Sequence, residues 1–104
     1  MADFTTDPFG HSIYLTDERW RHICDEHPEM EPYRARVLDT LRLGRRFQDS
    51  IRPDVFLYYR DHSDLAHGNT TIVVVVRFGV RADGSPNNFV LTAYQVFRMR
   101  VDSP

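Results

Sequence analysis

Five histidines, thirteen arginines and two strand-like segments carrying hydroxyls and aromatic rings are the groups in this 104-residue chain that could do chemistry. Histidine gives and takes protons near neutral pH, so His11, His22, His27, His62 and His67 are the candidate acids and bases. His22 and His27 stand five apart, on poorly matched helix faces, and make a poor metal pair. His27 follows Trp20 and Ile23 along one stripe. It reads either as a core histidine with a hydrogen-bond partner or as a helix-end histidine beside Pro28 that reaches the edge of a groove. His62 and His67 fall in a polar loop. Every cation is arginine and none is lysine. A GC-rich coding bias produces that pattern, but it leaves each cation a planar fork suited to bidentate phosphate contact. Walker, GxSxG, HExxH and dinucleotide-glycine patterns are absent, so nucleotide hydrolysis, serine hydrolysis and zinc proteolysis have no motif behind them.

The elements that must position these groups follow from periodicity. Thr16 is a good N-cap, with Asp17 and Glu18 in the first turn behind it. Trp20, Ile23, Cys24 and His27 then fall on one helix face, and Pro28 ends the helix near His27. Pro32 starts a second helix whose stripe is Val37, Leu38 and Leu41, with Gly44 stopping it. Ser12 to Leu15 reads as a short extended lead-in, and the arginine-rich stretch after Gly44 as a connection. Val55 to Arg60 is a strand, Asp61 to Asn69 a loop, and Thr70 to Phe78 a strand whose four valines predict a central position. Asp83-Gly84 predicts a hairpin turn, with Phe89 to Phe97 returning. The expected architecture is α+β: two N-terminal helices packed on a roughly four-stranded antiparallel sheet. Its expected core is Trp20, Ile23, Val37, Leu38, Leu41, Phe78, Phe89 and Leu91.

If Asp83 and Gly84 are the centre of a two-residue turn, Arg77 faces Val90, Val75 faces Thr92 and Val73 faces Tyr94. Arg77, Thr92 and Tyr94 then share one sheet face, while Phe78, Phe89, Leu91 and Ala93 share the other, under the helices. Phe56, Tyr58 and Arg60 are expected on the Arg77 side. That side combines polar groups with valines and predicts a half-open groove, with a histidine of the first helix at its rim.

The 12% aromatic content supplies enough bulk for a single small core and excludes intrinsic disorder. A net charge of −2 argues against a generic polyanion binder, although acidic residues concentrate in Asp17 to Glu31 and leave room for a basic face elsewhere. The single cysteine, Cys24, cannot pair internally and reads as a buried small hydrophobe. No signal-peptide pattern opens the chain, and the longest apolar run, Ile72 to Val76, is far short of a membrane span. The expectation is a cytoplasmic protein without membrane contact.

Leu15-Thr16-Asp17-Glu18-Arg19-Trp20, His22-Ile23, His27-Pro28-Glu29, Thr40-Leu41, Leu57-Tyr58-Tyr59-Arg60 and Phe89-Val90-Leu91-Thr92-Ala93-Tyr94 together resemble a small phage- and prokaryote-associated domain family. That family belongs to the barnase, EndoU, colicin and RelE-like nuclease superfamily. The resemblance runs from about Ile13 to Tyr94 and departs at Gly44-Arg45-Arg46, where it leads one to expect Pro-Asp. It implies helices on a four-stranded antiparallel sheet and a metal-independent ribonuclease, often the toxin of a toxin-antitoxin or conflict system. Cleavage by 2′-hydroxyl attack needs a base, cations for the phosphorane and an acid. On that chemistry His27, with His22 as competitor, is expected to serve as base or acid. Arg60, Thr92 and Tyr94 complete the expected catalytic set, and Arg77 and Tyr58 are expected to bind substrate. No cofactor or metal is expected, and the expected partners are RNA and an antitoxin or immunity protein. The other class of function is a non-catalytic protein- or RNA-binding module on the same fold.

Overall fold

A computed structural model describes residues 1–97. Strands β1 (Ala2–Thr6) and β2 (Ser12–Thr16) form a hairpin ahead of helix α1 (Asp17–Glu26). Thr16 ends β2 in an extended conformation and caps α1, its hydroxyl accepting from the Arg19 N–H at 3.0 Å. His27 closes α1, its N–H donating to Ile23 O. Pro28–Tyr33 is then a 3₁₀ turn with Pro32 inside it, and helix α2 (Arg34–Leu43) starts two residues later than Pro32 suggests. Strands β3 (Arg45–Gln48), β4 (Val55–Asp61), β5 (Thr71–Arg77) and β6 (Asn88–Val96) complete the fold.

The expected four-stranded antiparallel sheet behind two N-terminal helices is not what forms. The sheet has six strands in the order β1-β2-β6-β5-β4-β3, and two of them precede the helices. It is mixed, because β2 runs parallel to β6 at Ile13↔Asn88 and Tyr14↔Phe89. The two missed strands are edges. Edge strands are short and polar, so β1 (ADFTT) carries little strand signal and the arginines of β3 (RRFQ) read as a connection. Parallel pairing between residues some 75 positions apart leaves no local trace.

The β5–β6 register combines two departures that cancel. The turn is one residue longer than expected: Arg81 N–H donates to Ser85 O, closing a loop of Ala82, Asp83 and Gly84 with Gly84 at φ +85°. Arg77 therefore pairs with Phe89, not Val90. An irregularity between Val75 and Val76 then inserts Leu91 as an extra residue, restoring Val75↔Thr92 and Val73↔Tyr94.

The buried residues of both helices, Trp20, Ile23, Val37 and Leu41, join one core with Ile13, Leu15, Tyr58, Ile72, Val74, Val76, Val90 and Ala93. Leu38 is only half-buried. Phe78 packs at the core's margin, Phe89 turns to the opposite face, and Val90 takes the place expected for Leu91. Phe56, Tyr58 and Arg60 pair with Val76, Val74 and Ile72, which puts them on the helix side and corrects the expectation that they share a face with Arg77. Four successive valines suit either face, so the sequence of β5 does not fix the parity of its neighbour.

Gly44 lies where the end of α2 meets β4. A Cβ there would stand 2.4 Å from Thr40 O and 2.6 Å from Tyr59 O, both backbone atoms. Gly44→Ala is expected to lower stability by about 1–3 kcal/mol, read as a reduced midpoint in urea unfolding with an unchanged slope.

Candidate functional site

The sheet face away from the helices carries the groups expected of the groove, but not all of them. Arg77, Thr92 and Tyr94 share it by register, together with Val73 and Val75. These valines are buried because each lies between larger neighbours: Val73 between Tyr59 and Tyr94, Val75 between Leu57 and Thr92. Across one end of the sheet runs a row of paired residues, Phe4, Tyr14, Phe89, Arg77 and Val55, from β1 to β4. The Phe4 and Tyr14 rings are 5.5 Å apart and those of Tyr14 and Phe89 5.9 Å, between centroids. Phe4 is 67% exposed. Arg77 is exposed and paired only with the exposed carboxylate of Asp54, 3.1 Å away. Thr92 Oγ1 is buried without a hydrogen-bond partner among the described residues.

His27 reaches this face from its edge. β2 pairs with β6 at only two positions, so the rest of β6 has no strand beside it on that side among the described residues. The His27 ring lies 5.8 Å from the Tyr94 ring, and its Nδ1 stands 3.8 Å from Glu29 Oε2. His22 is exposed on the far side of α1, beside Glu18, Arg21, Asp25 and Glu31, and takes no part. Cys24 is half-buried in the same area; burial and the nearby Glu31 and Asp25 push its thiol up, away from a reactive thiolate. Arg60 and Tyr58 are on the helix side.

Arg60 lines a cleft of about 530 Å³ there with Arg36, Asp39, His62, Asp64 and Thr70. Burial, then Arg60 and Arg36, hold His62 below the usual histidine range. Thr40 donates its hydroxyl to Arg36 O at 2.7 Å, so at the 3.0 Å contact between Thr40 Oγ1 and His62 Nε2 the imidazole is the donor. Three aspartates, counting Asp61, balance the cleft's cations.

The most closely knit polar cluster in the described residues was not expected from the sequence. The β1–β2 loop places Asp7 with its side chain fully buried. Oδ1 accepts the N–H groups of Phe9 and His11 at 2.9 and 2.8 Å. Oδ2 meets His11 Nδ1 at 3.0 Å and accepts the Tyr58 hydroxyl at 2.5 Å. Burial pushes the Asp7 carboxyl up, but the hydrogen bonds from Tyr58, His11 and Phe9 outweigh it and leave the carboxyl below its ordinary range. Burial and Asp7 together raise Tyr58 well above an ordinary tyrosine. Beside them, the Arg46 guanidinium carbon lies 4.3 Å from the ring centroids of both Phe9 and Phe56. The legible signal was Asp7-Pro8-Phe9-Gly10-His11, an Asx-turn pattern between two extended pieces. The partners Arg46 and Tyr58 lie on other strands and could not be read from it.

Among the described residues no three His, Cys, Asp or Glu side chains converge on a site for a metal ion. Comparison with known protein families, curated proteins and solved structures returns no match.

Asp7→Ala strips the buried Tyr58 hydroxyl of its acceptor and is expected to cost about 1–3 kcal/mol at neutral pH. Because the folded carboxyl titrates below its unfolded value, that contribution is present above the ordinary aspartate range and is lost as pH falls through the folded value. Urea unfolding of wild type and variant should therefore converge in acid and diverge toward neutrality.

Proposed function

We propose that the protein binds single-stranded RNA on the helix-free sheet face. The observation that carries this reading is the row Phe4, Tyr14, Phe89 and Arg77: three neighbouring rings and an exposed guanidinium on a sheet surface that no described helix covers. Bases stack on such rings whatever their sequence, and arginine holds the backbone phosphate. Tyr94 extends the same surface along β6. An antitoxin would neutralise the protein by covering this face.

A second reading, cleavage of the bound RNA, is favoured by the placement of His27 against Tyr94 at the edge of that surface. In that reaction the 2′-oxygen bonds to phosphorus as its proton passes to His27. The bond to the 5′-oxygen breaks, water supplies the leaving group's proton, and a 2′,3′-cyclic phosphate remains.

Fluorescence anisotropy with a labelled oligoribonucleotide tests binding. Phe4→Ala removes an exposed ring at little cost to the fold and should weaken binding about tenfold, within the ~1–3 kcal/mol of a stacked base. Arg77→Ala should reduce the salt dependence by about one phosphate contact, while Arg42→Ala on α2 leaves affinity unchanged. Equal affinity in all three variants removes the assignment.

Cleavage is tested on total RNA. His27→Ala should lower the rate on the order of 10² to 10⁴, and EDTA should leave the wild-type rate unchanged. A His27→Ala protein as active as wild type removes histidine catalysis from this edge.

A further inference from the structure

We propose that Arg46 and His11 form an oxyanion site that accepts a phosphoryl group, at the end of the sheet where the β1–β2 loop folds over the helix side. It does not depend on the RNA reading of the opposite face.

The first ground is how Arg46 is held. Its guanidinium sits 4.3 Å from two ring centroids, Phe9 and Phe56, with Phe78 at 5.6 Å and Tyr58 at 5.9 Å. Rings on its faces fix the plane and leave the in-plane N–H groups to find partners. Among the described residues one does so, Nη1 toward the Tyr58 hydroxyl oxygen at 3.4 Å, a long hydrogen bond. No carboxylate lies within salt-bridge distance of Arg46 among the described residues; Arg19, Arg21, Arg45, Arg52, Arg60 and Arg81 share that, but none of them has an aromatic ring within cation–π distance.

The obvious neutralising partner, Asp7, is already engaged. Its two oxygens meet the Phe9 N–H, the His11 N–H, the His11 ring and the Tyr58 hydroxyl, so its acceptor capacity is filled by groups other than arginine. Tyr58 relays between them, giving its proton to Asp7 and its lone pair to Arg46. The result is a fixed cation, half-buried, with donors to spare.

The second ground is His11. The Nδ1 contact to Asp7 sets the ring's orientation and leaves Nε2 as the free nitrogen. The side chain is 39% exposed, and its ring packs edge-on against Phe78 at 5.0 Å, the same ring that Arg46 approaches. Arginine and histidine thus both approach one phenyl ring: Arg46 supplies a planar fork to a tetrahedral oxyanion, and His11 Nε2, with Nδ1 donating to Asp7, donates to it as the imidazolium or accepts a P–OH proton as the neutral ring. The Arg60 cleft offers no equivalent, since three aspartates face its cations.

NMR of the full chain, following the Arg46 side-chain N–H and the His11 ring during titration with inorganic phosphate and separately with a diribonucleoside monophosphate, tests the site. Both groups should shift together and saturate. Arg46→Met, which keeps an apolar stem between Phe9 and Phe56, should weaken binding about tenfold or more with the circular dichroism unchanged. His11→Phe, which keeps the packing on Phe78, should weaken it less. Saturation with phosphate alone identifies a free phosphate or terminal monoester as the ligand, and saturation with the dinucleotide a backbone diester. Absence of saturable shifts with both probes, or binding equal in Arg46→Met, overturns the proposal. Phe4→Ala should not affect this titration, so failure of the RNA face and failure of this site are separable.

Discussion

The contact between the buried Asp7 carboxylate and the Tyr58 hydroxyl joins the two ends of this sheet. Asp7 belongs to the hairpin at one edge and Tyr58 to the strand next to the other edge, with β6 and β5 between them in the sheet order. The hairpin has little else to hold it by backbone pairing, since β2 meets β6 at two positions. Side chains make up the difference: Tyr14 donates to Asn87, Asn88 to Ser12 O, and Arg34 bridges Asp3 and Asp17. Two surfaces exist only because the hairpin is seated this way. One is the row of rings from Phe4 to Phe89; the other is the enclosure around Arg46.

A carboxylate with four donors stabilises this seating more than one ion pair would. Each oxygen is satisfied by geometry that the loop itself supplies, so the charge is neutralised locally and tolerates burial. The same saturation sorts the arginines. Those on α2 find aspartates: Arg34 with Asp3 and Asp17, Arg36 with Asp64, and Arg42 with Asp39. Arg46, on an edge strand among aromatic rings, does not. A net charge near zero therefore hides an uneven surface in which the arginines of α2 are paired and Arg46 is not.

What could be read in advance was local. The Thr16 cap, the Pro28 stop, the Gly44 stop and the burial of β5 follow from residue types a few positions apart, and the structure has all four. The pairs Val75↔Thr92 and Val73↔Tyr94 also stand, although through two one-residue offsets that compensate and not through the turn as read. Everything set by distant partners was invisible. The side of the sheet that Arg60 and Tyr58 occupy is decided by the β4–β5 register, which a run of valines leaves open. The parallel β2–β6 contact and the Asp7 cluster join segments with no shared local signal. Of the groove residues, Arg77, Thr92 and Tyr94 could be grouped because strand parity is local; His27 joins them because, among the described residues, no strand lies on the β2 side of β6 past Phe89.

The parallel pair has a bearing on how the protein comes into being. β2 is made early and must wait for β6, separated from it by both helices and three other strands, before it has a neighbour other than β1. A two-stranded hairpin is marginal alone in water. During synthesis the hairpin therefore emerges with Ile13 and Leu15, core residues of the finished fold, uncovered, and α1 and α2 gain a complete sheet to pack against only when β6 has been released. Closing so long a loop is entropically slow, which places the decisive step of folding after translation of β6 and leaves the nascent chain reliant on whatever shields these apolar side chains until then.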